Sequence, residues 1–133
     1  MISHPELRRL GMEHLEKLFG TGAGQALIDD MAGLCPDFAE MSIEWALGGI
    51  TARPGLDSVT RELVVIASCV TLGHTVTQLR AHTQAALNAG ATREQIIETI
   101  LQLTFYAGGA AVRNALVNVK DILAGKAESD NAS

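Results

Sequence analysis

Helix is the only period that repeats along this chain, with apolar residues recurring at intervals of three and four, so its apolar surface is buried by packing helix on helix. Leu7, Leu10, Leu15 and Leu18 mark a first helix over Pro5–Phe19, which the glycines from Gly20 to Gly24 interrupt. Gln25–Gly33 forms a short helix, and Pro36 suits the first turn of another that runs through Phe38, Met41, Trp45 and Leu47 to a stop at Gly48-Gly49. Arg53-Pro54-Gly55-Leu56-Asp57 is a connector, because proline restricts the residue before it and removes a donor.

Asp57 or Ser58 caps the next helix, to about Leu72. Its run Leu63–Val70 is apolar nearly all round, as expected of a central buried helix. The β-branched content also suits a strand, but the length from the cap to Gly73 and the lack of a partner strand favour helix. After a turn at His74–Thr77 comes a helix over Gln78–Asn88, closed by Gly90 in the left-handed conformation. Thr92 and Gln95 form a capping box for a helix to Tyr106 or Ala107, and Gly108-Gly109 breaks it. Ala111–Leu123 is the last helix, with Val112, Leu116, Val119 and Leu123 along one face. The expected fold is therefore all-α, with six or seven helices in one domain over residues 1–124 and a flexible polar tail over 125–133.

Composition adds limits. At 133 residues, with 47% apolar and 19% charged side chains, the chain can build a core and is not disordered. Five aromatics and an alanine-rich middle give each helix little apolar area, which makes association into a homo-oligomer a natural remedy. The net charge of -5, with basic residues scattered apart from Arg8-Arg9, excludes a nucleic-acid partner. No apolar stretch is long enough for a membrane span and the N-terminus lacks a signal-peptide pattern, so a cytoplasmic protein without a membrane partner is expected. Cys35 and Cys69 lie 34 residues apart, which offers no dithiol or zinc motif and suits two reduced thiols.

Several chemistries fall away. Gly20-Thr21-Gly22-Ala23-Gly24-Gln25 lacks the third glycine of a dinucleotide fingerprint and follows a helix, and no Walker lysine or nucleophile elbow occurs. His4, His14, His74 and His82 never fall at metal-ligand spacing, so neither metal nor cofactor is expected. What remains is a constellation in the central helix pair. Glu62 and Cys69 share a helix face, about 10 Å apart along the axis. An antiparallel return through a turn near residue 75 or 76 sets His82 opposite Cys69. Each residue has a structural reading beside the catalytic one. His82 is a hydrogen-bonded core histidine or a catalyst, Glu62 a first-turn helix stabiliser or a functional carboxylate, and Cys69 a small buried hydrophobe or a reactive thiol. Trp45 and Tyr106 serve either packing or a substrate platform.

Six segments, Arg53-Pro54-Gly55-Leu56-Asp57, Thr60-Arg61-Glu62-Leu63, Gln78-Leu79-Arg80-Ala81-His82, Ala86-Leu87-Asn88-Ala89-Gly90, Leu101-Gln102-Leu103 and Tyr106-Ala107-Gly108, closely resemble in order and spacing the carboxymuconolactone decarboxylase family. The resemblance covers residues 53–119, about half the chain, and extends weakly upstream to Trp45. It implies an alkylhydroperoxidase D-like helical bundle whose central antiparallel pair carries the active site, assembled as a homotrimer or homohexamer. Glu62 and His82 match the glutamate and histidine of the peroxidase branch, but Thr75 and Gln78 stand near where its two cysteines fall, so the peroxide-reducing dithiol is missing. Gly49 and Thr51 replace an acidic residue and an aromatic of the decarboxylases, and Gly109-Ala110 an aromatic-proline pair, which points to a different substrate.

The decarboxylase resemblance implies a cofactor-independent carboxy-lyase of aromatic-compound catabolism, or a related proton-transfer lyase or isomerase, acting on a small carboxylated lactone or related oxoacid. Such a lactone is its own electron sink, so the protein needs only to stabilise an oxyanion and return a proton. His82 suits that task with Glu62 fixing its tautomer, and Arg53, Arg61 and Arg113 are candidates to hold substrate carboxylates. The alternatives are a thiol-dependent peroxidase using Cys69 and a non-catalytic oligomeric binding protein.

Overall fold

The computed structural model describes the backbone of residues 4–132 and the side chains of residues 4–125. Its elements are α1 (His4–Phe19), α2 (Ala23–Ala32), α3 (Pro36–Met41), a π-helical stretch (Ser42–Thr51), α4 (Ser58–Leu72), α5 (Val76–Ala89), α6 (Arg93–Leu101), a 3-10 turn (Gln102–Phe105) and α7 (Gly109–Ala132). No strand occurs among the described residues, so the all-α expectation holds. The expected tail at 125–133 lies almost wholly outside the residues whose side chains are described. The chain divides into two compact units, residues 1–57 and 58–133.

In the first unit, α1 packs against the π-helix that continues α3, and α2 packs against α1 and α3. Gly48-Gly49 does not stop that helix, contrary to the sequence expectation, because Gly48 serves as a contact surface. A Cβ on Gly48 would stand 2.0 Å from the carbonyl oxygen of Leu7, and one on Gly11 would stand 1.9 Å from that of Ile43. Two backbones therefore touch where only glycine fits, and the crossing falls on the wide π-helical turns. Leu15, Leu18, Ala39 and Ile43 fill the space around it. Arg8 and Glu40 (3.0 Å) and His4 and Glu44 (2.9 Å) pair along the rim.

The second unit is built from α4 to α7 around Ile66, Val70, Leu79, Ala86, Ile96, Ile100, Val112 and Val119. Gly90 takes the left-handed conformation, φ 109, that closes α5. Thr92 and Gln95 form the reciprocal capping box, at 2.9 and 3.0 Å. The segment expected to be helical to Tyr106 tightens into the 3-10 turn after Leu101. α4 departs from expectation as well. Ile66 and Val70 are buried, but Val64 (56%) and Leu72 (59%) are exposed, so the helix has an open outer face and is not enclosed all round.

Candidate functional site

α4 and α5 are joined by only three residues, Gly73 to Thr75, and this short link makes them antiparallel neighbours. Gly73 supplies a positive φ of 82 in the link, and the Thr75 hydroxyl donates to the carbonyl of Cys69 at 3.2 Å. The resulting register brings His82 of α5 to Glu62 of α4, with Nδ1 and Oε2 2.6 Å apart. The expected facing of His82 with Cys69 is therefore displaced by two helical turns. The link is centred on His74, one to two residues before the turn expected near 75 or 76, which accounts for part of this shift.

Glu62 is 3% exposed, and a carboxylate removed from water needs a partner. His82 provides it. An ionised carboxylate only accepts hydrogen bonds, so Nδ1–H donates to Oε2 and fixes the ring's tautomer and orientation. The histidine side chain keeps 26% of its surface exposed while that of Glu62 keeps 5%. The pair is thus graded from a buried anchor to an imidazole reachable from outside, the arrangement a general acid or base requires.

Cys69 is buried one face-repeat further along α4. With Val76, Leu79, Asn114 and Asn118 it lines a cavity of about 250 Å³ between α4, α5 and α7, to which neither Glu62 nor His82 contributes. Arg61 is half-buried on α4, and Tyr106 is 84% exposed after the 3-10 turn. Trp45, 62% exposed, and Arg53, exposed, belong to the first unit. Of the residues singled out from sequence, the structure joins Glu62 and His82 directly. Among the described residues no three of His, Cys, Asp and Glu gather as a metal-ligand set.

Arg80, two residues before His82, carries a role the sequence did not disclose. Its guanidinium donates to the carbonyl of Asn118 and grips both carboxylate oxygens of Asp121 at 2.7 and 2.8 Å, tying α5 to α7. The hydrogen bond from Arg80 holds the Asp121 carboxyl down at about 2. The partners lie 41 residues apart, so no local spacing signals them.

The model of the carboxymuconolactone decarboxylase family matches residues 36–120. The chain is 30% identical over 112 residues to a 4-carboxymuconolactone decarboxylase of Acinetobacter baylyi, covering 84% of this chain and 83% of that protein. It is 35% identical over 95 residues, 71% of each chain, to a 15.0 kDa protein from the nqo9-nqo10 intergenic region of Paracoccus denitrificans. It is also 33% identical over 79 residues to a nitrosuccinic acid decarboxylase of Metarhizium robertsii, covering 59% of this chain and 54% of that one.

Proposed function

The chain belongs to the carboxymuconolactone decarboxylase family, and on that premise we propose that it is a cofactor-independent carboxy-lyase for a small carboxylated lactone or a related acid with a built-in electron sink. The observation that carries the reading is the 2.6 Å contact between buried Glu62 and partly exposed His82.

In an unsaturated lactone the bond to the departing carboxylate breaks, and its electron pair moves through the ring double bond into the lactone carbonyl. An enolate-type oxyanion and CO2 result. A proton then adds to carbon and the carbonyl re-forms. The imidazole of His82 supplies that proton or a hydrogen bond to the oxyanion, while Glu62 holds the ring in place and stabilises its charged form. A positioned acid of this kind is worth about 10²- to 10⁴-fold in rate. Arg53 and Arg61 are the proposed anchors for substrate carboxylate, and Trp45 and Tyr106 the proposed apolar contacts.

The two relatives named as decarboxylases act on acids that share one chemical trait. A nitro group, like a conjugated lactone carbonyl, accepts the electron pair that CO2 leaves behind. The substrate class is therefore defined by a carboxylate adjacent to such a sink. The buried position of Cys69 supports this reading over thiol chemistry, since a reactive cysteine needs access.

The chain is proposed to act as a homotrimer or homohexamer, which the exposed apolar residues of both units support, Phe38 and Trp45 in one and Val64, Leu72 and Phe105 in the other. No helix among the described residues is long and apolar enough to cross a membrane, and the proposed place of action is the cytoplasm. The test is CO2 release from 4-carboxymuconolactone, other carboxylated lactones and nitrosuccinate by the purified chain. Release from at least one is expected, and none from the whole panel would defeat the reading.

A further inference from the structure

The cavity of about 250 Å³ between α4, α5 and α7 is built wholly from residues of the second unit. Val70, Leu79 and Ala115 are buried and give it an apolar floor. Asn114 and Asn118 give it a polar rim, four positions apart and hence on one face of α7. We propose that this cavity is a second binding site, distinct from the Glu62–His82 pair, for a small uncharged ring compound bearing an amide group.

The lining selects against charge. No Asp, Glu, Lys, Arg or His lines the cavity. A charged ligand would give up its hydration there without gaining a counter-charge, so a carboxylated substrate is held elsewhere. Arg80 reaches the backbone carbonyl of Asn118, but the two carboxylate oxygens of Asp121 engage its guanidinium and offset its charge.

The lining also selects for hydrogen bonding. A hydrocarbon would match the floor and leave the rim without partners. Each asparagine amide both donates and accepts, and the bond from Arg80 engages the backbone of Asn118, not its side chain. The Thr75 hydroxyl, which also lines the cavity, donates to the carbonyl of Cys69 and keeps lone pairs that accept. An amide, with N–H donors beside a carbonyl, complements such a rim, and an apolar ring complements the floor. A cavity of about 150 Å³ accommodates benzene, so the volume here takes one ring with a carboxamide or lactam group. Drug-sized ligands occupy roughly 300–1,000 Å³, which excludes a nucleotide or a peptide.

Cys69 lines the cavity, and Cys35 is the other cysteine of the chain. In a Cys35→Ser chain the rate at which iodoacetamide alkylates Cys69 therefore reports on occupancy. Benzamide and benzoate are the probes, alike in shape but uncharged and anionic. Benzamide is expected to slow alkylation saturably, with a dissociation constant of about 1 mM or below, and benzoate at the same concentration to leave the rate unchanged. Saturation-transfer NMR then compares the affinity of variants for benzamide, with circular dichroism as the check on folding. Ala111→Leu extends a side chain into the cavity and weakens binding by about 10-fold or more. Asn114→Leu, at an exposed position, weakens it about 3- to 10-fold through the lost hydrogen bond and carries the test where Ala111→Leu does not fold. His82→Ala binds benzamide as the wild type does. Equal protection by benzoate overturns the proposal. Binding lost in His82→Ala and kept in Ala111→Leu places benzamide at the catalytic pair and overturns the second site. No benzamide binding, with Cys69 alkylated only in denaturant, means that the assembled protein closes the cavity and overturns it as well.

Discussion

Nδ1 of His82 stands 2.6 Å from Oε2 of Glu62, across the antiparallel pair α4 and α5. The contact joins a carboxylate that is almost wholly buried to an imidazole that is not. Its geometry predicts that Glu62 acts through His82. Glu62→Gln keeps an acceptor of similar shape but removes the charge that favours imidazolium, so kcat falls about 10- to 100-fold with little change in KM and an altered pH–rate profile. Glu62→Ala leaves the ring nitrogen without its acceptor and costs about 1–3 kcal/mol of stability as well. Steady-state kinetics across pH and denaturant titration check the two.

The glycines at the crossing of α1 with the π-helical stretch predict a sharp asymmetry between sites. Gly11→Ala and Gly48→Ala force a Cβ into backbone at 1.9 and 2.0 Å, so each destabilises by about 1–3 kcal/mol or more. Gly33→Ala, at φ -90 with nothing within 4 Å of the added carbon, is neutral or slightly stabilising. Thermal melts of the three variants measure the contrast.

The same glycines show what could be read from the sequence and what could not. Thr92 with Gln95, and Gly90 after α5, act through neighbours within a few positions, so the capping box and the left-handed closure were legible. Gly48 looks like a helix breaker in its local pattern, yet its role is set by Leu7 on another helix. Glu62 and His82 were legible as a pair of interest by residue type and by resemblance. The resemblance already implied Glu62 as the group that fixes the tautomer of His82, whereas the turn placed near residue 75 or 76 set His82 opposite Cys69, because the register of a helical hairpin depends on the exact length of its link. Arg80 and Asp121 lie too far apart in sequence for either to predict the other.

The tie between α5 and α7 has a pH signature. Asp121 is depressed from 3.8 to about 2, first by the hydrogen bond from Arg80. A carboxyl whose folded value lies below its unfolded one stabilises fully above the unfolded value and loses that contribution as pH falls through the folded one. The difference in melting temperature between the wild type and Asp121→Asn is therefore constant above pH 5, shrinks as pH falls past 3.8 and levels off only below about 2. Melts across this range check it, and the exposure of the pair makes the difference sensitive to salt.

Decarboxylation should survive exhaustive chelation and dialysis, because the substrate's own carbonyl or nitro group receives the electron pair. Rates before and after chelation, with metal analysis of the same samples, test this. Stoichiometric metal whose removal abolishes turnover would require a different electron sink.

The central claim is that imidazole, not thiol, carries the reaction. It is tested most directly by measuring CO2 release for wild type, His82→Ala and Cys69→Ser on the same lactone at matched oligomeric state. The account predicts that His82→Ala loses about 10²-fold or more in kcat, whereas Cys69→Ser loses less than about 10-fold. A dead Cys69→Ser enzyme beside an active His82→Ala one would contradict it and move the chemistry to the cavity that Cys69 lines.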